Sequence, residues 1–298
     1  MIYYLGTFLQ HHVPSLSFLR LVDSISFRAI AGAITALLFT IVLGGRIILF
    51  LYRHGQRDMP RDYVKLPVSN GQAKIYGGGL VVASILLSAL LWCRLHVPFT
   101  LICLAAVCWF AGLGALDDSL KVKHRSSGHG LSESAKMSLQ IVFAVAVGLV
   151  CVLPSMTPLP LGLSTKLYVP FVKTPVADLG WLYVPFIAFT IVAIANGVNL
   201  ADGVDGLAVV PAAFVVAVYG VFAYVSSHAV ISSFLIFPFV PGAGEVAIIC
   251  SIVFGACLGF LWFNCYPANV IMGDTGSMCL GGLLCTVAVL TTQELRFV

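Results

Sequence analysis

The sequence predicts an all-α fold: a polytopic bundle of transmembrane helices, read as one integral membrane domain over residues 1–298. Three observations predict it. Apolar residues make up 60% of the chain and charged residues only 9%, against roughly 45–50% and 25% in soluble globular proteins. Mean hydropathy over the whole chain is +1.03. The apolar residues also fall into runs close to the ~20 residues that a helix needs to cross a bilayer. A water-soluble fold is excluded. The formal charge of +4 comes from 16 Lys/Arg and 12 Asp/Glu without a long basic run, so nucleic acid is not an expected partner.

Eight spans are predicted, at residues 29–52, 77–96, 98–116, 137–153, 181–199, 207–225, 245–263 and 275–291. Met1–Leu21 lacks a charged leader and is interrupted by His11, His12 and Pro14, so the first span is expected to remain as an uncleaved anchor. The third span ends directly at Asp117-Asp118, and Lys136 stands just before the fourth. The Pro-rich stretch from Pro154 to Pro175 reads as an ordered connection between the fourth and fifth spans. His228–Pro241 is apolar but short and closes on Phe237-Pro238-Phe239-Val240-Pro241-Gly242, which predicts an interfacial or re-entrant piece. Nine cysteines show no metal-type spacing, and all except Cys265 lie in apolar runs. They read as small core hydrophobes.

Orientation follows from the positive charges of the connections. With the N-terminus outside, Arg46, Arg53, Arg57, Arg61, Lys65, Lys74, Lys121, Lys123, Arg125 and Lys136 lie on the inner side, leaving six Lys/Arg outside. The same arrangement brings Asp117-Asp118, Asp202, Asp205 and Asp274 to inner ends of spans. Three separate loops are thus expected to converge on one face.

Three constellations carry chemistry. The first is Gly114-Ala115-Leu116-Asp117-Asp118-Ser119-Leu120-Lys121. Adjacent carboxylates at a membrane surface repel each other, so the pair suits a metal ion or a proton-accepting role. Lys121, four residues after Asp117, is expected on the same helical face. The second is Asn196, Asn199, Asp202 and Asp205, one polar side chain every third residue, interleaved with Gly203 and Gly206. That step is expected to hold the four near one face of a helical segment, able to grip sugar hydroxyls, a base edge or a hydrated cation. The third is Asn269-Val270-Ile271-Met272-Gly273-Asp274-Thr275-Gly276-Ser277 at the start of the last span. Thr275 and Ser277 are expected to cap that helix, whose N-terminus favours an anion such as phosphate. Asp274 beside it suits a divalent cation held jointly with substrate phosphates. Lys136 reads either as a snorkelling residue or as a site residue. His124 and His129 share the inner loop with Asp117-Asp118 and read as solvated.

Together, and in this order, Gly114–Lys121, Asn196–Ala208 and Asn269–Gly282 resemble the motifs of the polyprenyl-phosphate N-acetylhexosamine-1-phosphate transferases. Leu167–Lys173 with Asp178–Phe186, and Pro241–Glu245 with Gly259–Asn264, look like the phospho-N-acetylmuramoyl-pentapeptide transferase branch of that family. The similarity runs from about Gly77 to Glu294. It implies a magnesium-dependent transfer of phospho-MurNAc-pentapeptide from UDP-MurNAc-pentapeptide to undecaprenyl phosphate, giving lipid I and UMP for peptidoglycan synthesis. The implied place is the cytoplasmic face of the bacterial inner membrane, and the implied assembly a homodimer. The resemblance makes Asp117, Asp118 and Asp274 essential to phosphoryl transfer, with Asp274 the magnesium ligand. It assigns Lys121, Lys136, Asn199, Asp202 and Asp205 to the nucleotide and pyrophosphate site, and Asn196 belongs to the same motif.

The chain departs from the family pattern in three places. Asn70-Gly71-Gln72-Ala73-Lys74 stands where the family carries a basic residue and a Thr-Pro-Thr-Met-Gly-Gly stretch, and Ile271 where phenylalanine is usual. The resemblance also implies two further spans and a histidine-rich loop beyond the eight spans read here. One enzymatic alternative stays open, transfer of GlcNAc-1-phosphate, and beside it a catalytically silent remnant that binds partners or lipid. A transporter would instead set its carboxylates near the bilayer midplane along a path.

Overall fold

The computed structural model describes residues 1–12, 14–53, 75–124, 130–160, 162–169 and 174–294. Ten α-helices appear among them: α1 Ile2–His12, α2 Ile25–Arg53, α3 Gly78–Trp92, α4 Pro98–His124, α5 Glu133–Val152, α6 Tyr183–Ala201, α7 Val209–Ser227, α8 Ala229–Leu235, α9 Gly244–Asn264 and α10 Gly273–Leu290. Short 3-10 turns at Pro14–Asp23 and Gly180–Leu182 precede α2 and α6. Seven of the helices are long and apolar enough to cross a membrane. The chain is a multi-pass helical membrane protein.

The seven long helices match seven of the eight predicted spans, with ends moved by up to eight residues. The eighth, predicted at 77–96, is the 15-residue α3. At ~1.5 Å per residue it is about 22 Å long, short of the ~30 Å hydrocarbon layer. It stops at Trp92 because Cys93 turns extended and α4 begins at Pro98, which opens helices readily. This short helix packs against α1, α2, α4, α9 and α10, with Leu87 and Leu90 left exposed. In the apolar piece after α7, α8 has only seven residues and is followed by Ile236 in a left-handed conformation. The described residues of the connection between α5 and α6 include a short strand pair. β2 (Lys166–Leu167) pairs antiparallel with β3 (Ala177–Asp178), and the Thr165 hydroxyl donates to Asp178 Oδ1 at 2.6 Å.

Helix α10 forms the axis of the bundle, with nearly every residue buried, and packs on α3, α4, α6 and α7. Helix α9 is the second interior helix and lies against α2, α3, α4 and α7. The α2–α9 approach depends on small residues: a Cβ on Gly255 would stand 2.1 Å from the Ala33 carbonyl oxygen. Lipid is as apolar as Leu, so close backbone packing of this kind carries helix association in membranes. The outward faces are apolar for the same reason, with Phe189, Phe214 and Trp262 each more than two-thirds exposed.

Each end of the bundle has its own polar cluster. At the end away from Asp117, the buried Arg28 pairs with Glu245 at 2.7 Å, and Glu245 Oε2 accepts the Arg94 amide at 2.9 Å. The Tyr3 ring lies under both guanidinium groups, 5.0 and 4.8 Å away. These contacts tie α1, α2, α9 and the α3–α4 turn together. At the other end, β1 (Ile75–Tyr76) pairs parallel with β4 (Val270–Ile271), fixing the start of α3 to the loop before α10.

Candidate active site

Helix α4 does not stop where its apolar run stops. It continues two turns past residue 116 to His124, so Asp117, Asp118 and Lys121 project from a continuous helix. Asp117 and Lys121 share a face, as their four-residue spacing predicts, with Lys121 Nζ 2.6 Å from Asp117 Oδ2. Helix α5 starts with Ser132 as N-cap, its hydroxyl accepting the Ala135 amide at 3.3 Å, which sets Lys136 in the first turn. Just before α5, the Leu131 amide donates to Asp117 Oδ1 on α4 at 2.8 Å.

Helix α10 supplies the third carboxylate. Asp274 Oδ2 lies 2.7 Å from Lys136 Nζ and 3.1 Å from Lys121 Nζ, and Lys136 Nζ is also 3.1 Å from Asp117 Oδ2. Two ammonium groups therefore bridge two carboxylates from different helices. Gly114, one turn before Asp117, makes this possible: a Cβ there would stand 2.2 Å from the Asp274 carbonyl oxygen. All three aspartates are buried.

The cap of α10 differs from the expectation. Ser277 Oγ donates to the Gly273 carbonyl at 2.8 Å inside the helix, and Thr275 Oγ1 donates to Asp118 Oδ2 at 2.6 Å. Asp118 itself caps the helix from α4. Its Oδ1 accepts the Asp274 amide at 3.1 Å and its Oδ2 the Thr275 amide at 2.9 Å. The positive helix end expected to favour a phosphate already faces a carboxylate of the protein.

The second constellation is also rearranged. Asn196 and Asn199 lie on the last turns of α6, but the helix ends at Ala201 and Gly206 takes a positive φ of 76°. The four polar residues therefore do not share one helical face, because the glycines that loosen the segment end the helix within it. Asn196 is engaged with Gln140 of α5 through two amide hydrogen bonds of 2.7 and 3.2 Å. Asn199 Nδ2 donates to Ser277 Oγ at 3.0 Å, one turn from Asp274. Asp205 Oδ2 accepts the Ala268 amide at 3.1 Å, and Asn264 Oδ1 accepts that of Gly206 at 3.0 Å. Asp205 thereby joins the loop after α6 to the loop before α10, so the three acidic loops do meet at one end of the bundle. Sequence reasoning missed Gln140, a polar residue inside an apolar run, and gave no site role to Asn264 at the end of another.

His124 is exposed, with Nδ1 2.9 Å from the Leu120 carbonyl oxygen. His129 and the stretch Asn70–Lys74 lie outside the described residues. Ile271 is half-buried in β4 and pairs in register with Tyr76.

One oxygen from each of Asp117, Asp118 and Asp274 lies within 4.8 Å of the others. Oxygen donors of this kind suit a hard divalent cation. Three carboxylates face two ammonium groups, which leaves one negative charge unbalanced in a buried place where such charge is costly. The cluster thus fits a metal ion, and equally fits binding phosphate groups through its lysines.

The sequence profile of glycosyl transferase family 4 matches residues 100–292, a stretch that contains all three aspartates. A phospho-N-acetylmuramoyl-pentapeptide-transferase from Nitratidesulfovibrio vulgaris is 44% identical over 271 residues, covering 91% of this chain and 74% of the relative. Its counterpart in Citrifermentans bemidjiense is 41% identical over 275 residues, covering 92% and 75%. That of Chlorobium chlorochromatii is 38% identical, covering 99% and 79%.

Proposed function

The chain belongs to the phospho-N-acetylmuramoyl-pentapeptide-transferase family, and from that premise we propose that it makes lipid I. An oxygen of undecaprenyl phosphate attacks the sugar-bearing phosphorus of UDP-MurNAc-pentapeptide. The new P–O bond forms as the bond to the bridging oxygen breaks, and that oxygen leaves with UMP. The observation that carries this reading is the convergence of Asp117, Asp274, Lys121 and Lys136 from three helices onto one buried point. Phosphoryl transfer needs positioning and charge compensation more than covalent help, and this point offers both.

Asp274 is the residue assigned to hold magnesium, together with substrate phosphates. Bound there, magnesium would supply positive charge against the charge developing on the pyrophosphate. Lys121 and Lys136, ammonium groups already facing carboxylates, are assigned to the phosphates themselves. Asp117 orients the lipid phosphate and takes its remaining proton if one is present. Asn199, Asp202 and Asp205 are assigned to the nucleotide. Asn196, committed to Gln140, is assigned to holding α5 and α6 together beside it.

The acceptor is supported by an apolar groove of about 680 Å³ between α5 and α6, lined by Met137, Ile141, Val184, Phe189, Val192 and Asn196 among others. Its Met137 end adjoins Lys136. A polyprenyl tail in the groove would bring its phosphate to the lysines. The bacterial relatives point to the bacterial cytoplasmic membrane, and the charge distribution of the connections supports a site on its cytoplasmic face.

Lys136→Ala is expected to lower kcat/KM by about 10–100-fold, the worth of one hydrogen bond to a charged group. Steady-state kinetics with varied donor checks this, and an unchanged kcat/KM contradicts the assignment. The function itself is tested with detergent-solubilised protein, magnesium, undecaprenyl phosphate and both UDP-MurNAc-pentapeptide and UDP-GlcNAc. Lipid product bearing pentapeptide alone is expected. Lipid-linked GlcNAc, or no UMP from either donor, would overturn the reading.

A further inference from the structure

We propose, resting on the phosphotransfer reading of this site, that Gln140 is a positioning residue. Its amide clasps α5 to α6 through Asn196 and so holds Lys136 between Asp117 and Asp274.

Lys136 reaches carboxylates on α4 and α10, yet the helix that carries it lies mainly along α6. The place of its ammonium group therefore depends on how α5 is seated on α6. Helix α6 is itself fixed on α10: a Cβ on Gly281 would stand 2.8 Å from Ala195 Cα, and Asn199 Nδ2 donates to Ser277 Oγ at 3.0 Å. Asn196 lies between these two contacts. Its Nδ2 donates to Gln140 Oε1 at 2.7 Å and to the Val192 carbonyl at 2.8 Å, and its Oδ1 accepts from Gln140 Nε2 at 3.2 Å. On α5, Gln140 follows Lys136 by four residues, a spacing that makes the two neighbours on the helix surface. The clasp thus passes the register of α6 to the turn of α5 that presents Lys136.

Gln140 has no route to the substrate of its own. Its side chain is fully buried, and both of its amide atoms are engaged by Asn196. Its influence runs through the helix. Hydrogen bonds of this kind join helices in a membrane, and a buried donor or acceptor that loses its partner keeps its desolvation cost. Farther from the site the α5–α6 seam is close backbone packing, where a Cβ on Gly148 would lie 3.1 Å from Val184 Cα. Near Lys136 the holds on α5 are polar. Asn196 grips Gln140 from α6, and Trp109 Nε1 on α4 donates to the carbonyl of the preceding residue, Leu139, at 3.1 Å. Loss of the clasp leaves the inner end of α5 tied to α4 alone, and Lys136 moves with it.

The test uses the full chain in detergent, with Gln140→Met, Lys136→Ala and the double variant. Methionine keeps the unbranched length and the helix propensity of glutamine and removes both amide atoms. With the donor varied and the acceptor saturating, Gln140→Met is expected to lower kcat/KM about tenfold, the cost of a sub-ångström misplacement. The double variant is expected within about threefold of Lys136→Ala, because a residue that acts through Lys136 then has nothing left to position. Losses that multiply would overturn the proposal. Amine acetylation, read by mass spectrometry on metal-free protein without substrate, follows Lys136 itself. Its labelling is expected to be about 5–30-fold faster in Gln140→Met than in the parent, the worth of two lost hydrogen bonds, while Lys121 on α4 keeps its parent rate. Unchanged labelling of Lys136, or equal rises at both lysines, would overturn the proposal. If Gln140→Met does not fold, Gln140→Asn, whose amide is one methylene too short to close the pair, is read by the same outcomes. Absence of UMP from the parent chain would count against the phosphotransfer reading, and the labelling measurement separates that failure from this one.

Discussion

Asp274→Asn is expected to lower UMP release by roughly 10³-fold or more, with the bundle still folded. Asparagine preserves the volume of the side chain but removes the charge that draws Lys121 and Lys136 together, at 3.1 and 2.7 Å, from separate helices. It also removes the carboxylate assigned to magnesium. Groups that compensate charge on a transferring phosphoryl group contribute about 10³–10⁵ in rate in related chemistry, which sets the size of the effect. Asp117 remains to pair with both lysines, so neither ammonium is left buried without a partner. The variant should therefore elute as a single species from size exclusion and melt within a few degrees of the parent. Turnover within tenfold of the parent would remove Asp274 from the chemistry.

Gly114→Ala is expected to be nearly as damaging, although it adds only a methyl group and alters no charge. The added Cβ would lie 2.2 Å from the Asp274 carbonyl oxygen and 2.6 Å from Thr275 Cα. Both neighbours are backbone of α10 and cannot rotate away, so α4 and α10 must separate. Overpacking costs about 1–3 kcal/mol in stability. The larger loss is catalytic, about 100-fold or more, because Asp117 and Asp118 move relative to Asp274. Gly112 provides the control. It lies on the same helix two residues earlier, exposed, and a Cβ added there would meet nothing within 4 Å. Gly112→Ala should leave activity unchanged and, as a glycine replaced within a helix, gain up to about 1 kcal/mol. Equal behaviour of the two alanine variants, read by UMP release and thermal melting, would show that the α4–α10 approach does not govern the site.

The spans were legible because a bilayer imposes a length and a composition on each crossing, and both are one-dimensional properties. That logic fails where protein takes the place of lipid. Packing against five other helices accommodates α3 with 15 residues, and α4 continues past its apolar run because its last turns find ionic partners on α5 and α10. The acidic motifs were legible as groups, and so was the pairing of Lys121 with Asp117, which is a matter of helical spacing. Partnerships across the bundle were not. Asp118 reads in sequence as half of an acidic pair, yet its partners are amides 156 and 157 residues away. Gln140 and Arg28 likewise read as polar residues in or near apolar runs until Asn196 and Glu245 are seen beside them. Asp202 and Asp205 kept their end of the bundle but not their helical face, because periodicity cannot tell a continuing helix from one that Gly203 and Gly206 terminate.

The central claim is that Asp274, gathered with Asp117 and two lysines, is where a metal ion meets the donor pyrophosphate. Manganese binding, followed by electron paramagnetic resonance with UDP-MurNAc-pentapeptide present and the lipid acceptor withheld, measures this most directly. The parent is expected to bind one ion per chain at micromolar manganese, and Asp274→Asn none. Full occupancy in Asp274→Asn would contradict the claim and place the metal elsewhere.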